Sequence, residues 1–242
     1  MAAAPRQLSW DGCINVRDLG GLPLADGGLT RFGAIIRADN VRRLSDEGWR
    51  ALEDYGIRTI VDLRWQDELD EDPSREIDLK VVHIPLLEDL VRVEPVDALA
   101  AEIDDPVVWR AATYLQFLTS FPRRFGQAVE AIADAEPPVL VHCAGGVDRT
   151  GLVAALLLRV AGVGVDDVAA DFALSGPNWA PRMGAWLADA PDDAERRRRQ
   201  MLGDIRAEAM VAVLREIDAE GYLRDAGVGD QTLARIRERL HG

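Results

Sequence analysis

Short apolar runs alternate with helical patterns over the first two thirds of the chain. Four runs predict buried strands, because they are rich in branched aliphatic residues and end in turn-forming or polar residues. They lie at residues 34–37, 58–63, 80–84 and 139–142. Apolar residues at helical spacing predict helices at about 46–55, 121–135 and 150–161. Residues 9–33 are rich in Gly and Asp, which predicts loops and turns with short extended pieces.

Local start and stop signals support these helices. Ser45 is a good N-cap for the first helix, and Gly56 is a good stop for it. A Pro-Pro pair at 137–138 ends the second helix, and Gly162 closes the third. The alternation of strands and helices predicts an α/β fold with a mainly parallel central sheet flanked by helices.

Two regions depart from the alternation. Residues 87–120 lie between two predicted strands and have a mostly helical, acidic pattern, which makes them a candidate helical insert that caps a site. Residues 165–242 predict helices only. The chain has neither an internal repeat nor a linker long enough to separate domains, so residues 1–242 are predicted to form a single domain.

The composition narrows the class of protein. The chain has 242 residues, of which 48% are hydrophobic, enough for a core and too many for a disordered chain. With 42 acidic and 28 basic residues, its net charge of −14 disfavours a nucleic-acid partner. An anionic substrate would need a local positive field at its site.

Cysteine usage and hydropathy bear on the cellular setting. Cys13 and Cys143 are too few for a disulfide framework, so a reducing, intracellular setting is expected. Residues 1–10 lack the pattern of a signal peptide, and the longest apolar segment, 152–165, is interrupted by Arg159 and two glycines. We therefore expect a cytoplasmic protein with no stable membrane insertion, although secretion without a signal peptide stays open. No group of residues has metal-ligand spacing, so no metal or other cofactor is expected.

The chemistry is concentrated in residues 142–151, which read HCAGGVDRTG. A buried strand brings Cys143 to the carboxyl edge of the sheet, a glycine-bearing turn follows, and a helix begins at once. Such edges are where α/β proteins bind ligands. The loop residues whose backbone N–H groups would face a ligand are Ala144, Gly145, Gly146 and Val147.

This strand–loop–helix arrangement is suited to phosphate. Converging backbone N–H groups and a helix N-terminus attract an anion, and Arg149 offers a planar fork for two phosphate oxygens. The same field favours the thiolate of Cys143, which is then a nucleophile placed under a bound phosphate ester. Thr150 is expected to donate its hydroxyl to the sulfur and to help it leave a phosphocysteine.

The loop resembles the signature loop of cysteine-based protein phosphatases. The chain as a whole resembles the bacterial tyrosine-phosphatase family that includes secreted mycobacterial phosphatases of the tyrosine/lipid dual-specificity type. The motif Asn-x-Arg-Asp-Leu-Gly-Gly at 15–21 accompanies the loop, as it does in that family. Further matches are Arg-Ala-Asp at 37–39, Asp-Leu-Arg at 62–64, Glu68, and Asp-Phe-Ala-Leu-Ser at 171–175. The resemblance spans about residues 9–240.

The resemblance implies a phosphotyrosine-phosphatase-like fold, a catalytic role for three residues and no cofactor. Cys143 is the nucleophile and Arg149 the phosphate clamp. Asp148 is the favoured general acid, with Asp39 and Asp62 as alternatives because both would lie at strand ends near the same sheet edge. The chain departs from the family pattern at Val147, where a lysine is usual, and at Gly145, where an alanine is usual. Loss of the lysine should weaken multiply phosphorylated lipid substrates more than a monophosphate ester.

Several residues near the loop have two interpretations. Arg37 and Arg64 line the site, or they pair with Asp39, Asp62 or Glu68. The supporting residues Asn15, Arg17 and Asp18 line the pocket or lock its loop, and His142 tunes the sulfur or is a core histidine. Cys13 is a small buried residue or a resolving thiol for Cys143. Trp179 belongs to the core or contacts an aromatic substrate, and the arginines at 196–199 form a solvated helix face or a basic flank.

The favoured function is therefore a protein-tyrosine phosphatase, a cysteine-dependent phosphomonoester hydrolase that acts through a phosphocysteine intermediate. One alternative is a phosphoinositide or small-metabolite phosphatase, and another is a weakly active phosphate-binding pseudophosphatase. The expected partner is a phosphorylated protein or a small phosphoester. The sequence does not give the oligomeric state.

Overall fold

A five-stranded sheet organises the computed structural model, which describes residues 5–72, 78–87 and 103–242. Its strands in chain order are β1 (Arg17–Asp18), β2 (Ile35–Ala38), β3 (Thr59–Asp62), β4 (Lys80–His83) and β5 (Val139–His142). Their spatial order is β1-β2-β5-β3-β4. All neighbouring pairs are parallel except β1 with β2, so the prediction of a mainly parallel sheet is confirmed.

Helices surround this sheet. Those before β5 are α1 (Asp46–Tyr55), α2 (Gln66–Glu71), α3 (Pro106–Ser120) and α4 (Pro122–Asp134). Those after it are α5 (Asp148–Val160), α6 (Val165–Ala173), α7 (Ser175–Ala188), α8 (Asp193–Gly203), α9 (Ala207–Glu216), α10 (Ala219–Asp225) and α11 (Asp230–Leu240). Beyond residue 165, the regular elements are helical as predicted. No helix among the described residues has the length and apolar character needed to cross a bilayer.

Two apolar cores cover the two faces of the sheet. On β5 the alternation is direct, since Val139 and Val141 enter the larger core while Leu140 enters the smaller one. The larger core contains the central helix α5, whose residues are nearly all buried. The smaller core packs α1 against the sheet through Trp49 and Leu52. A strand that is buried on both faces is apolar throughout, which is why it was visible in the sequence.

The ends of α1 follow the predicted signals. The Ser45 hydroxyl accepts a hydrogen bond from the Gly48 amide at 3.2 Å. Gly56 ends the helix in the left-handed conformation, with φ of +85°. These caps fix where the chain leaves α1 and enters β3.

The described part of the candidate insert is a core helix. In α3, Trp109, Tyr114 and Phe117 are buried, and the helix packs against α9 and α8. The rest of the insert, residues 88–102, lies outside the described residues. The single-domain organisation stays a prediction.

The register brings the strand ends together. Ala38 of β2 and Asp62 of β3 both lie beside His142 at the end of β5. The residues that follow these three strands therefore meet at the carboxyl edge of the sheet. Cys143 is the first residue after the central strand β5.

Candidate active site

The loop between β5 and α5 is built on close backbone packing. Cys143 is buried at its start, and α5 begins at Asp148. Gly146 has φ of +64°, and a Cβ atom there would lie 2.5 Å from the Ala38 carbonyl oxygen. Only glycine accommodates both the backbone angle and this approach. The loop is thus pressed against the end of β2.

The loop carbonyls are held from outside. The Asn15 Nδ2 group donates to the carbonyl oxygens of Gly145 and Gly146, both at 3.2 Å. The Arg37 Nη2 group also donates to the Gly146 carbonyl, at 2.8 Å. On the Gly145 carbonyl, the second donor is the Trp179 indole N–H at 2.9 Å.

Because the carbonyls of Gly145 and Gly146 are bonded to groups outside the loop, the orientation of the next backbone amides is fixed as well. In a trans peptide the N–H points opposite to the preceding C=O, so the amides that follow these carbonyls face the loop interior. None of the amides of residues 144–149 donates a hydrogen bond within the described part of the chain. Backbone amides without a protein acceptor, next to a helix N-terminus, are an arrangement that can bind an anion.

A buried ion cluster lies beneath the loop. The Asp171 carboxylate on α6 accepts hydrogen bonds from Arg17 Nε at 3.0 Å and Arg37 Nη1 at 2.9 Å, and Arg6 adds a partly exposed ion pair. Burial opposes the charge on Asp171, but the three arginines outweigh it and hold its pKa below its usual range. Burial and the neighbouring Arg17 lower the pKa of Arg37 to about 10.

Arg149 is oriented by α2. Its Nη1 and Nη2 groups donate to the two carboxylate oxygens of Glu68 at 2.5 and 2.7 Å. The guanidinium also lies over the Trp65 ring, 5.0 Å from the centroid. Burial opposes the charge of Arg149, but Glu68 and Cys143 outweigh it and raise its pKa. The Arg149 guanidinium is therefore charged and held in place.

Arg37 and Arg64, for which the sequence allowed either lining the site or pairing with an acidic residue, both pair with carboxylates. Arg64 pairs with Asp62 at 2.8 Å and with Asp72 at 3.1 Å, and its side chain is fully buried. Arg37 pairs with Asp171, a partner that the sequence did not suggest. The geometry favours the pairing interpretation for both, because a buried guanidinium needs a carboxylate close by.

Two residues of the upstream motif hold the loop, and the third holds neighbouring backbone. Asn15 bonds to the loop carbonyls, and Arg17 Nη1 donates to Asn15 Oδ1 at 2.7 Å. The Asp18 carboxylate accepts hydrogen bonds from the amides of Gly20 and Gly33, both at 2.7 Å. It also accepts one from the Tyr55 hydroxyl. Asp18 therefore ties backbone segments together and does not face the loop interior.

The acidic residues at the strand ends are committed to other contacts. Asp39 accepts the amide of Asn15 at 2.9 Å and is fully buried. Asp62 lies 3.4 Å from His142 Nε2, and the combined effect of His142 and Arg64 lowers its pKa despite burial. The other ring nitrogen of His142, Nδ1, lies 3.4 Å from the Cys143 carbonyl oxygen.

Asp148 differs from both of these carboxylates. It is the first residue of α5, and its side chain is 36% exposed. Its Oδ1 atom accepts hydrogen bonds from Arg110 Nη1 at 2.6 Å and from the Tyr114 hydroxyl at 2.7 Å. Sequence reasoning missed both partners. Their spacing of four residues on one helix was the only available signal, and it did not point to Asp148.

The Thr150 hydroxyl is buried without a hydrogen-bond partner among the described residues, so the expected bond to the Cys143 sulfur is not made. Val147 is buried as part of the larger core. The Cys13 thiol donates to the Asn40 carbonyl at 3.4 Å, and burial together with Asp39 raises its pKa, which keeps it protonated.

The remaining candidates lie further out. The arginines at 196–199 each pair with a nearby acidic residue, as expected of a solvated helix face. In the described ranges 5–72, 78–87 and 103–242, no group of three or more His, Cys, Asp or Glu residues is arranged to hold a metal ion.

Comparison with known proteins gives consistent matches over nearly the whole chain. Residues 8–242 match the family described as the tyrosine phosphatase family. The chain is 29% identical to the triple specificity protein phosphatase PtpB of Mycobacterium tuberculosis, over 96% of this chain and 98% of that protein. It is also 29% identical to a tyrosine-protein phosphatase of Nostoc commune, over 86% of this chain and 74% of that protein.

Proposed function

Because this chain belongs to the tyrosine phosphatase family and is a phosphoric monoester hydrolase of that type, we propose that it hydrolyses phosphotyrosine in proteins through a phosphocysteine on Cys143. The observation that carries this proposal is the loop itself. Its carbonyls are tied outward, its amides face inward, and Arg149 is held beside it by Glu68. Such a cradle fits the three terminal oxygens of a phosphate monoester.

In the first step the Cys143 thiolate attacks phosphorus. The S–P bond forms while the bond from phosphorus to the tyrosine oxygen breaks, and the leaving oxygen takes a proton from Asp148. The loop amides and Arg149 stabilise the charge on the three equatorial oxygens of the phosphoryl group, which move with phosphorus to the sulfur. The products of this step are tyrosine and the phosphocysteine.

In the second step water attacks the phosphocysteine. The Asp148 carboxylate takes a proton from the water as the new P–O bond forms and the S–P bond breaks. Inorganic phosphate leaves, and the thiolate is restored. Exposure supports Asp148 in this role, because Asp39 and Asp62 are buried and bound to other groups.

Two tryptophans support an aromatic substrate. Trp65 stacks on Arg149, and the Trp179 ring lies beside Gly145, where an added Cβ would be 3.4 Å from it. Flat aromatic side chains next to Arg149 and Gly145 favour an aryl phosphate. Val147 in place of a lysine removes a positive charge that a multiply phosphorylated lipid headgroup would use.

The test is phosphate release from a phosphotyrosine peptide at pH 5–7 in EDTA, compared with a phosphoserine peptide and a phosphoinositide in vesicles. We expect the phosphotyrosine peptide to be the best substrate. Cys143→Ser should abolish turnover, and the matched control Cys13→Ser should retain it. Activity that survives in Cys143→Ser would refute the mechanism. A higher activity on the phosphoinositide than on the phosphotyrosine peptide would show that the substrate is a lipid and not a protein.

A further inference from the structure

Two side chains of α3 converge on one oxygen of Asp148. Arg110 Nη1 lies 2.6 Å from Asp148 Oδ1, and the Tyr114 hydroxyl lies 2.7 Å from the same atom. The Tyr114 hydroxyl also accepts a hydrogen bond from Arg110 Nη1 at 2.9 Å. The three groups therefore form a closed triangle of hydrogen bonds.

The two partners are themselves fixed by the core. Arg110 and Tyr114 are each 1% exposed. The second terminal nitrogen of Arg110 donates to the Leu202 carbonyl at 2.5 Å, in the last turn of α8. The Tyr114 ring packs edge-on against Phe172, with centroids 5.9 Å apart. Neither side chain can follow Asp148 if that carboxylate rotates.

The arrangement leaves the two oxygens of Asp148 unequal. Oδ1 already accepts two hydrogen bonds, whereas Oδ2 has no partner among the described residues. A proton on the carboxyl group is therefore carried by Oδ2, because a proton on Oδ1 would displace one of the two donors. An exposed aspartate at a helix N-terminus would otherwise sample several rotamers.

We propose that Arg110 and Tyr114 are positioning residues, which hold Asp148 through Oδ1 so that Oδ2 gives its proton to the leaving oxygen and later takes one from water. This inference rests on the proposed function, in which Asp148 is the general acid and base. It adds that the efficiency of proton transfer is set from α3, outside the loop that carries Cys143 and Arg149. A group held near the reacting atom transfers a proton faster than one that must first be oriented.

The test uses a series of aryl phosphates whose leaving phenols differ in acidity, with kcat/KM as the readout. A general acid matters most for a poor leaving group and little for an acidic phenol. Tyr114→Phe keeps the ring and removes only the hydroxyl. We expect it to lower kcat/KM about tenfold for the least acidic phenol and less than about threefold for the most acidic one.

The control variant removes a tyrosine hydroxyl that supports the same helix without touching Asp148. Tyr222→Phe loses a hydrogen bond to the Leu118 carbonyl of α3, which measures 3.0 Å. We expect it to leave the dependence on the leaving group unchanged. Arg110→Lys tests the other positioning residue. A lysine keeps the charge but cannot bridge Asp148 and the Leu202 carbonyl, so kcat/KM should depend more steeply on the acidity of the leaving phenol, as in Tyr114→Phe.

The outcomes separate this inference from the proposed function. If Tyr114→Phe and Arg110→Lys lower kcat/KM by the same factor across the series, or not at all, positioning is refuted. Asp148→Asn is measured alongside and should lose at least about 100-fold for the least acidic phenol. If Asp148→Asn lowers kcat/KM by the same factor for every leaving phenol, the assignment of Asp148 as general acid is itself wrong.

Discussion

Replacing Asp171 by asparagine should destabilise the fold strongly, because among the described residues it is the only carboxylate that the arginines beneath the loop share. The substitution keeps the size of the side chain and removes its charge. Arg17 and Arg37, which are 0% and 1% exposed, would then lose their shared counter-charge. Breaking a buried ion pair in this way typically costs about 3–5 kcal/mol in the free energy of unfolding. The Arg6 pair is partly exposed and should add little.

The expected loss is large enough for standard assays. In a chain of this size about 1 kcal/mol shifts the melting temperature by about 2–4 °C, so Asp171→Asn should lower Tm by about 6–20 °C. Urea unfolding followed by tryptophan fluorescence gives the free energy directly. The matched control is Asp134→Asn, which breaks an exposed 2.7 Å pair with Arg235. We expect Asp134→Asn to leave Tm and the free energy of unfolding nearly unchanged.

The effect of pH on the two proteins provides a second check. The arginines lower the pKa of Asp171 below its ordinary value of 3.8, so its contribution to stability is complete above that value. The contribution is lost as pH falls through the lower pKa of the folded chain. The difference in the free energy of unfolding between the parent and Asp171→Asn should therefore be complete at pH 7. It should decrease only below about pH 4. A difference no larger than that of Asp134→Asn, or one that is independent of pH in acid, would refute the reasoning.

Three further substitutions test the loop and its clamp. Gly146→Ala should lower kcat/KM for p-nitrophenyl phosphate about 100-fold, because its Cβ would meet the Ala38 carbonyl and push the loop outward. Glu68→Gln should raise both KM and the inhibition constant for vanadate about tenfold, since Arg149 would lose its bidentate carboxylate. Trp179→Phe keeps an aromatic ring but loses the indole N–H bond to the loop, so thermal unfolding should show a loss of about 1 kcal/mol.

Matched variants show which results would contradict these expectations. Gly33→Ala has a similar φ of +70° with no atom within 4 Å of the new Cβ, so it carries backbone strain without a clash. Equal loss of activity in Gly33→Ala and Gly146→Ala would rule out the close approach as the cause. Glu71→Gln is an exposed change on the same helix as Glu68. If Glu71→Gln raises KM as much as Glu68→Gln does, the increase is caused by the change in net charge and not by loss of the contact between Arg149 and Glu68.

Much of the fold follows from short segments of the sequence. The strands at 34–37 and 139–142 were visible because each is a short apolar run bounded by turn-forming or polar residues. The ends of α1 were visible because Ser45 and Gly56 act through their own backbone neighbours. α5 begins at Asp148, two residues earlier than predicted, since the loop glycines did not mark the boundary.

The site was less visible, because its ion pairs join distant segments. Arg37 and Asp171 are 134 residues apart, and Arg110 and Asp148 are 38 apart. A chain with 42 acidic and 28 basic residues offers many possible ion pairs, and the sequence around each residue does not distinguish among them. Arg64 shows the contrast, since its local pair with Asp62 was one of the stated alternatives while its pair with Asp72 was not.

The sequence by itself determined the strand–loop–helix unit, and with it the placement of Cys143 and Arg149 at the carboxyl edge of the sheet. It could do so because apolar periodicity, helix caps and glycine conformations act over a few neighbouring residues. Only the tertiary structure decided which carboxylate each arginine meets, and which oxygen of Asp148 is left for proton transfer. The reason is physical, because the energy of a buried charge depends on the groups that packing brings within a few ångströms and not on neighbours along the chain.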